Sequence, residues 1–367
     1  MVLIKHFAKQ TNLAALRVMI SFKVRQSKIA CHIMKNPIAI FFLFFTISSF
    51  GQNERPEDYG FRHLQMIYKG DTVDILIKSK KGEEQKKKPL FLFCQGSLPI
   101  PLIIKYDDKG KKGIFHVFVF NPDSLSNEYH LAIISKPYIP LIADQKSLHS
   151  DFTYSDSTNE FPKKYMERNL LDYYVERDIA VIKFLQKQTW VLSDKLVVAG
   201  HSEGSTIAAK LAFSFPKVTQ LIYSGGNPCG RILTMIEQQR AHESDTTKSD
   251  EKMFSNWKNI VNNPNSMDAS YGDTYKATFQ FSIPPITYMD KLKIPVLITY
   301  GTKDSGCPFN DYFRAEMLRQ KKKNFTFIAY IGLEHNFFPL KANGEINFDV
   351  FNWDKVADDW RSWLKQQ

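Results

Sequence analysis

Leu196-Val197-Val198-Ala199-Gly200-His201-Ser202-Glu203-Gly204-Ser205-Thr206 is the stretch on which the fold turns. Residues 196–199 are fully apolar and read as a short buried strand, and residues 206–213 read as a helix rich in small residues. Between them lies the pattern G-x-S-x-G, a turn so tight that its serine takes a strained conformation. Gly200 and Gly204 remove Cβ atoms that would collide with neighbouring backbone. Ser202 is then presented at the end of a strand, and the helix N-terminus behind it favours developing negative charge.

A serine hydroxyl is a poor nucleophile at neutral pH and needs a base, which in turn needs an orienting acid. Both are found downstream. Asp304 follows the predicted strand 295–300 through Gly301-Thr302-Lys303, and His335 follows the predicted strand 325–331 through Gly332-Leu333-Glu334. Each of the three residues lies just past a strand end, in the chain order Ser, Asp, His. Upstream, the apolar run 89–95 ends at Gln95-Gly96-Ser97, where a loop is expected to donate a backbone N–H to an oxyanion. Ser97 is the candidate donor there, with the backbone N–H of Glu203 as the second.

Working outward, residues 72–78, 116–120, 130–135 and 221–224 read as further strands. Residues 163–188 carry a helical period, with Met166, Leu170, Tyr174, Ile182 and Leu185 near one face. Residues 308–322 and Trp353–Leu364 read as helices, the latter amphipathic. The Lys-rich runs 80–88 and 109–113 read as solvated turns. Strands alternating with helices imply an α/β fold. Its mostly parallel central sheet carries helices on both faces and binds ligands at the carboxyl ends of the strands. A longer insert with several aromatics spans about residues 227–290. At its start, Gly225-Gly226-Asn227-Pro228-Cys229-Gly230 has phosphate-loop glycine spacing but lacks the Lys and Ser/Thr that should follow, and reads as part of the site's rim.

With these motifs in place the sequence resembles the α/β-hydrolase superfamily over nearly all of residues 60–367. It looks most like the branch with dienelactone-hydrolase-like and prolyl-oligopeptidase-like catalytic domains. The resemblance implies a serine hydrolase that works through an acyl-enzyme, with a cap inserted at about residues 227–290. The aromatics there have two readings, the lining of an acyl or aryl pocket or, for most of them, the cap's own core. Two departures stand out: Gln95-Gly96 replaces the more usual His-Gly, and no β-propeller domain is evident in the roughly 150 residues between the expected mature start and the elbow.

Composition narrows the alternatives. The 367 residues are 43% hydrophobic and 24% charged, which excludes a largely disordered, collagenous or coiled-coil chain. The net charge of +11 invites a nucleic-acid reading. Seven basic and no acidic residues fall within 1–51, however, and the remainder carries 42 basic against 38 acidic residues. The basicity is largely N-terminal, and no nucleic-acid partner is expected. Lys35, the apolar run 38–50 and the small residues Ser49 and Gly51 read as a secretory signal peptide at residues 34–51, cleaved before Gln52. Residues 1–33 read as an upstream extension ahead of a natural start at Met34, and residues 52–367 as the mature domain. The run is too short to span a bilayer comfortably, so no stable membrane span is expected after cleavage. No cofactor or metal signature is present. Whether Cys229 and Cys307 pair is left open.

The leading expectation is an exported, periplasmic or extracellular hydrolase of small-molecule carboxylic esters, with small peptide amides as the nearest rival. Acyl transfer and a non-catalytic binding role are further alternatives. The Glu203 carboxylate has two readings: recognition of a substrate amine, or a hydrogen bond to the sheet edge.

Overall fold

The computed structural model describes residues 54–367, apart from 109, 116, 242 and 245–248. The signal-peptide and upstream-extension readings lie outside the described residues. Among these, the main sheet has eight strands: β1 (Arg62–Tyr68), β2 (Asp71–Lys78), β3 (Lys88–Cys94), β4 (His130–Ile134), β5 (Val191–His201), β6 (Gln220–Ser224), β7 (Val296–Gly301) and β8 (Phe325–Tyr330). Their spatial order is β1-β2-β4-β3-β5-β6-β7-β8. β1 pairs antiparallel with β2, and β2 with β4; from β4 to β8 every pairing is parallel.

The longer helices are α1 (Leu171–Leu185), α2 (Glu203–Ser214), α3 (Arg231–Arg240), α4 (Ser249–Asn262), α5 (Tyr275–Ser282), α6 (Cys307–Arg319) and α7 (Trp353–Leu364). Period-two alternation sends strand side chains to both faces, so residues 90–94 of β3 and 196–199 of β5 are apolar throughout. On β3, Leu90, Leu92 and Cys94 join the core shared with α1, α2 and α6, while Phe91 and Phe93 join the core beneath α7. On β5, Leu196 and Val198 divide from Val197 and Ala199 in the same way. α7 buries Trp353, Val356, Ala357, Trp360, Trp363 and Leu364, a 3.6-period stripe.

The α/β class, the mostly parallel sheet and its helical layers are as the sequence predicts. Four local readings change. Residues 117–120 form bends rather than a strand (His116 lies outside the described residues). Phe118 and Phe120 are buried nonetheless, because their rings pack on Phe93, and Phe120 also meets Trp360 edge-on. The Lys-rich run 109–113 is not all turn: Lys111–Ile114 pairs antiparallel with Ile103–Asp108 in a small sheet completed by Ile142–Asp144. The helical period of 163–188 is broken into Lys163–Arg168 and α1. Asn169 leaves the helical region at the break, its side chain donating to Asp273 (2.8 Å) and accepting from Tyr174 (2.9 Å). β1, unread in the sequence, is an edge strand with a half-exposed burial pattern.

The insert between β6 and β7 contains α3, α4 and α5. Ile232, Ile236 and Met253 form its small core with Trp257, whose ring stacks on Phe279. Phe281 belongs instead to the main core, and Tyr288 packs on Phe213 of α2.

Trp360 is fully buried against Phe93, Phe120 and Trp353. Trp360→Ala should therefore lower unfolding free energy by about 3–5 kcal/mol. Urea unfolding of the two proteins measures this as a lower midpoint at unchanged slope.

Candidate active site

Ser202 sits between the last residue of β5 and the first of α2 with φ 57° and ψ −126°. A non-glycine residue there costs on the order of 1–3 kcal/mol, so its surroundings must over-determine it. The Ser202 N–H donates to the Ser224 carbonyl (2.9 Å), and the Ser202 carbonyl accepts from the Ser205 N–H (3.1 Å) and hydroxyl (2.6 Å). The flanking glycines are sterically required. A Cβ on Gly200 would lie 2.0 Å from the Gly204 carbonyl oxygen, and one on Gly204 would lie 2.1 Å from that of Cys94.

The structure brings the three predicted side chains together. The Ser202 hydroxyl is 3.0 Å from His335 Nε2, and His335 Nδ1 is 2.9 Å from Asp304 Oδ2. Asp304 follows β7 and accepts a further hydrogen bond from the Gly306 N–H (2.9 Å). The β7 and β8 loops are tied together by Thr302 N–H to the Tyr330 carbonyl (3.0 Å) and Lys303 N–H to the Leu333 carbonyl (2.8 Å). Such a chain can move a proton from hydroxyl oxygen to imidazole nitrogen while the carboxylate fixes the tautomer.

The titration behaviour follows from the packing. Burial disfavours the His335 cation, but Asp304 in contact and Glu334 nearby outweigh it and push the imidazole up to about 9. Burial would likewise raise Asp304, yet the His335 imidazole and the Gly306 N–H hold it below its ordinary value. His201 behaves oppositely. It is enclosed by Phe337, Trp353 and His335, and burial, with repulsion from His335, pulls it down to about 3. One of two adjacent imidazoles is thus kept neutral and the other made basic.

The oxyanion candidates lie on the two elements the sequence named. Glu203 opens α2, where the backbone N–H has no intrahelical acceptor. Gly96 stands over Ser202, at a distance where a Cβ would be 3.9 Å from the Ser202 Cβ, and Ser97 follows it. The Ser97 carbonyl accepts from the Tyr165 hydroxyl (3.2 Å).

The Glu203 carboxylate meets neither a substrate-facing opening nor the sheet edge. It is buried between Lys136, 3.2 Å away, and Arg231, whose guanidinium contacts it directly. Sequence reasoning missed both cations. The available signal was a charged residue inside a turn that must be buried, which requires a partner. Lys136 is pulled down to about 7 by burial and by the neighbouring Arg177 and Arg231. A third residue whose role was missed is Glu334. Its carboxylate accepts from the Asn336 (2.9 Å) and Phe338 (3.0 Å) N–H groups and so shapes the turn that carries His335. Burial raises its pKa. Cys94, Cys229 and Cys307 carry free thiols, so the two rim cysteines do not pair in this structure. The glycine loop after β6 is tied into the fold: the Gly225 N–H donates to Thr299 O (2.8 Å) and the Gly226 carbonyl accepts from Asn310 (2.9 Å).

Fold and site together define an α/β-hydrolase serine hydrolase, esterase-like or peptidase-like. The prolyl oligopeptidase family model matches residues 158–353, more than half of the chain, and the chain belongs to that family. No curated protein matches the sequence. Among solved structures, Est1E from Butyrivibrio proteoclasticus is 17% identical with a TM-score of 0.47, over 83% of this chain and 98% of that one. Acylaminoacyl peptidase from Pyrococcus horikoshii is 14% identical with a TM-score of 0.47, over 75% of this chain and 37% of that one. A Bacteroides ovatus protein provisionally assigned as a dipeptidyl aminopeptidase IV is 12% identical with a TM-score of 0.50, over 86% and 37%. At these identities the likeness is one of fold. The chain spans about 37% of the length of the latter two.

The electrostatics give a direct test. The downfield imidazole proton of His335 should titrate near pH 9, and in Asp304→Asn the pKa should fall back toward the ordinary histidine range because the charge favouring the cation is gone. Proton NMR of the two proteins across pH 5–11 reads both values.

Proposed function

We propose that the protein hydrolyses carboxylic esters through a Ser202–His335–Asp304 triad and an acyl-enzyme. The observation that carries this reading is the continuous hydrogen-bonded chain from the Ser202 hydroxyl through both nitrogens of His335 to Asp304. Neutral His335 takes the Ser202 proton as Oγ adds to the ester carbonyl, then returns it to the leaving alcohol. Water repeats the sequence on the acyl-enzyme. The backbone N–H groups of Glu203 and Ser97 would receive the oxyanion, each worth about 10²–10³ in rate where such donors have been removed.

Esters are favoured over substrates that need an anchored amine. The acidic side chains next to Ser202 and His335 are both committed, Glu203 to two cations and Glu334 to backbone N–H groups. Membership of the prolyl oligopeptidase family supports a second reading, cleavage of small peptides with a blocked or uncharged residue at this site. The basic and apolar pattern of residues 34–51 supports export, with the mature chain beginning at Gln52.

A fluorophosphonate probe should label the parent and not Ser202→Ala. Failure to label a folded parent would remove the nucleophile assignment. With p-nitrophenyl esters, kcat/KM should fall as pH is lowered through about 9, because the base must be neutral to act. Asp304→Asn should lower kcat by roughly 10⁴-fold. Ester and N-blocked peptide substrates compared at equal enzyme concentration separate the two readings. Protein should be recovered outside the cytoplasm with an N-terminus at Gln52; recovery only inside the cytoplasm would overturn the export reading, and a start nearer Met1 the cleavage site.

A further inference from the structure

We propose that Arg231 and the Glu203 side chain are positioning residues that aim the Glu203 backbone N–H at the developing oxyanion, and so bind the insert to the chemistry. This rests on the triad reading above.

Glu203 has two parts with different jobs. Its N–H is at the start of α2, immediately after Ser202. Its carboxylate points into the protein and is held from both sides. Lys136, just beyond β4, contacts Oε1 at 3.2 Å, with its ammonium 4.7 Å over the Tyr174 ring. Arg231, the first residue of α3, contacts Oε2. Arg231 is itself fixed: its other terminal nitrogen is 2.6 Å from Asp273, its guanidinium lies 4.3 Å over the Phe281 ring, and Asp273 accepts from Asn169 (2.8 Å) at the break before α1. The backbone behind it is equally constrained, since the Ile232 N–H donates to Ser282 (3.1 Å). Both carboxylates of the cluster, Glu203 and Asp273, are engaged by Arg231, and Lys136 closes the far side of Glu203, so the cluster is a closed strut rather than a free anion or cation site.

The leverage comes from the strained turn. The Glu203 N–H belongs to the Ser202–Glu203 peptide unit, whose carbonyl end is held by the Ser205 N–H (3.1 Å) and hydroxyl (2.6 Å). A Glu203 side chain clamped at its far end by Lys136 and Arg231 fixes the Cα at the other end of that unit, so releasing the clamp lets the first turn of α2 shift and redirects the donor while leaving the Ser202–His335 contact in place. During attack, the Ser202 Oγ–carbon bond forms, the carbonyl π pair moves to oxygen and the proton passes to His335 Nε2. The donor is needed only once that oxygen bears charge. Loss of the strut should therefore appear in kcat rather than in KM.

The test uses Arg231→Met, Arg231→Lys and Glu203→Gln in the mature protein, with active sites counted by complete fluorophosphonate labelling. Per labelled site, Arg231→Met and Glu203→Gln should lower kcat about 10- to 100-fold with KM changed less than about three-fold. Affinity for a trifluoromethyl ketone, whose Ser202 adduct carries the oxyanion, should weaken by the same factor. Arg231→Lys should recover most of the loss. A role confined to holding the fold would lower the unfolding midpoint and leave kcat per labelled site and ketone affinity unchanged, overturning the proposal. So would a rise in KM alone, which would make Arg231 a substrate contact. If Arg231→Met does not fold, Glu203→Gln, equal in shape, decides by the same two readouts. A folded parent that cannot be labelled overturns the triad reading and the strut's role together; a labelled parent with insensitive variants overturns the strut alone.

Discussion

The structure depends on one close approach. The backbone of Gly204 passes so near the Cys94 and Gln95 carbonyls that no Cβ fits between them, and Gly200 approaches Gly204 just as closely. These contacts set the entry of α2 onto β5 and leave Ser202 in a backbone region that only an over-determined turn sustains. They also fix the distance between the ends of β3 and β5, which brings the Gln95–Ser97 loop over the serine. From that constraint the other loops need only reach inward from β7 and β8, parallel neighbours whose ends are tied by backbone hydrogen bonds.

Charge placement forms a second layer on this frame. Three ionisable groups border Ser202 in space or sequence, and each is governed differently: His335 is made basic by Asp304, His201 is kept neutral by enclosure, and Glu203 is closed off between cations. Buried pairs of this kind add little net stability compared with apolar packing, but breaking one partner is costly. Their retention beside the reactive serine is better understood as control of geometry than as support for the fold.

Much of this was legible in the sequence because it is written locally. The G-x-S-x-G turn, the apolar strands with loops carrying Asp304 and His335, and the amphipathic stripe of Trp353–Leu364 each announce themselves within a dozen residues. What escaped is written across long separations. Lys136 and Glu203 lie 67 residues apart, and Asn169 and Asp273 lie 104 apart. Nothing near Lys136 predicts burial of an ammonium. The apparent strand at 116–120 failed for a related reason: Phe118 and Phe120 are apolar for the sake of rings contributed by Phe93 and Trp360, not for their own backbone pairing. The break at Asn169 is likewise imposed by a partner in the insert.

The hydrogen bond between Ser202 and His335 closes a loop of 133 residues. Its members lie just past the ends of β5, β7 and β8, with a separately cored insert threaded through the chain between them. No local segment can assemble it, and the entropy of closing so long a loop must be met by docking of the whole parallel half of the sheet. The reactive constellation therefore exists only when the last strand is in place. A chain whose β8 is not docked lacks the base beside Ser202, so an unfinished chain would not expose a reactive serine before its sheet is complete.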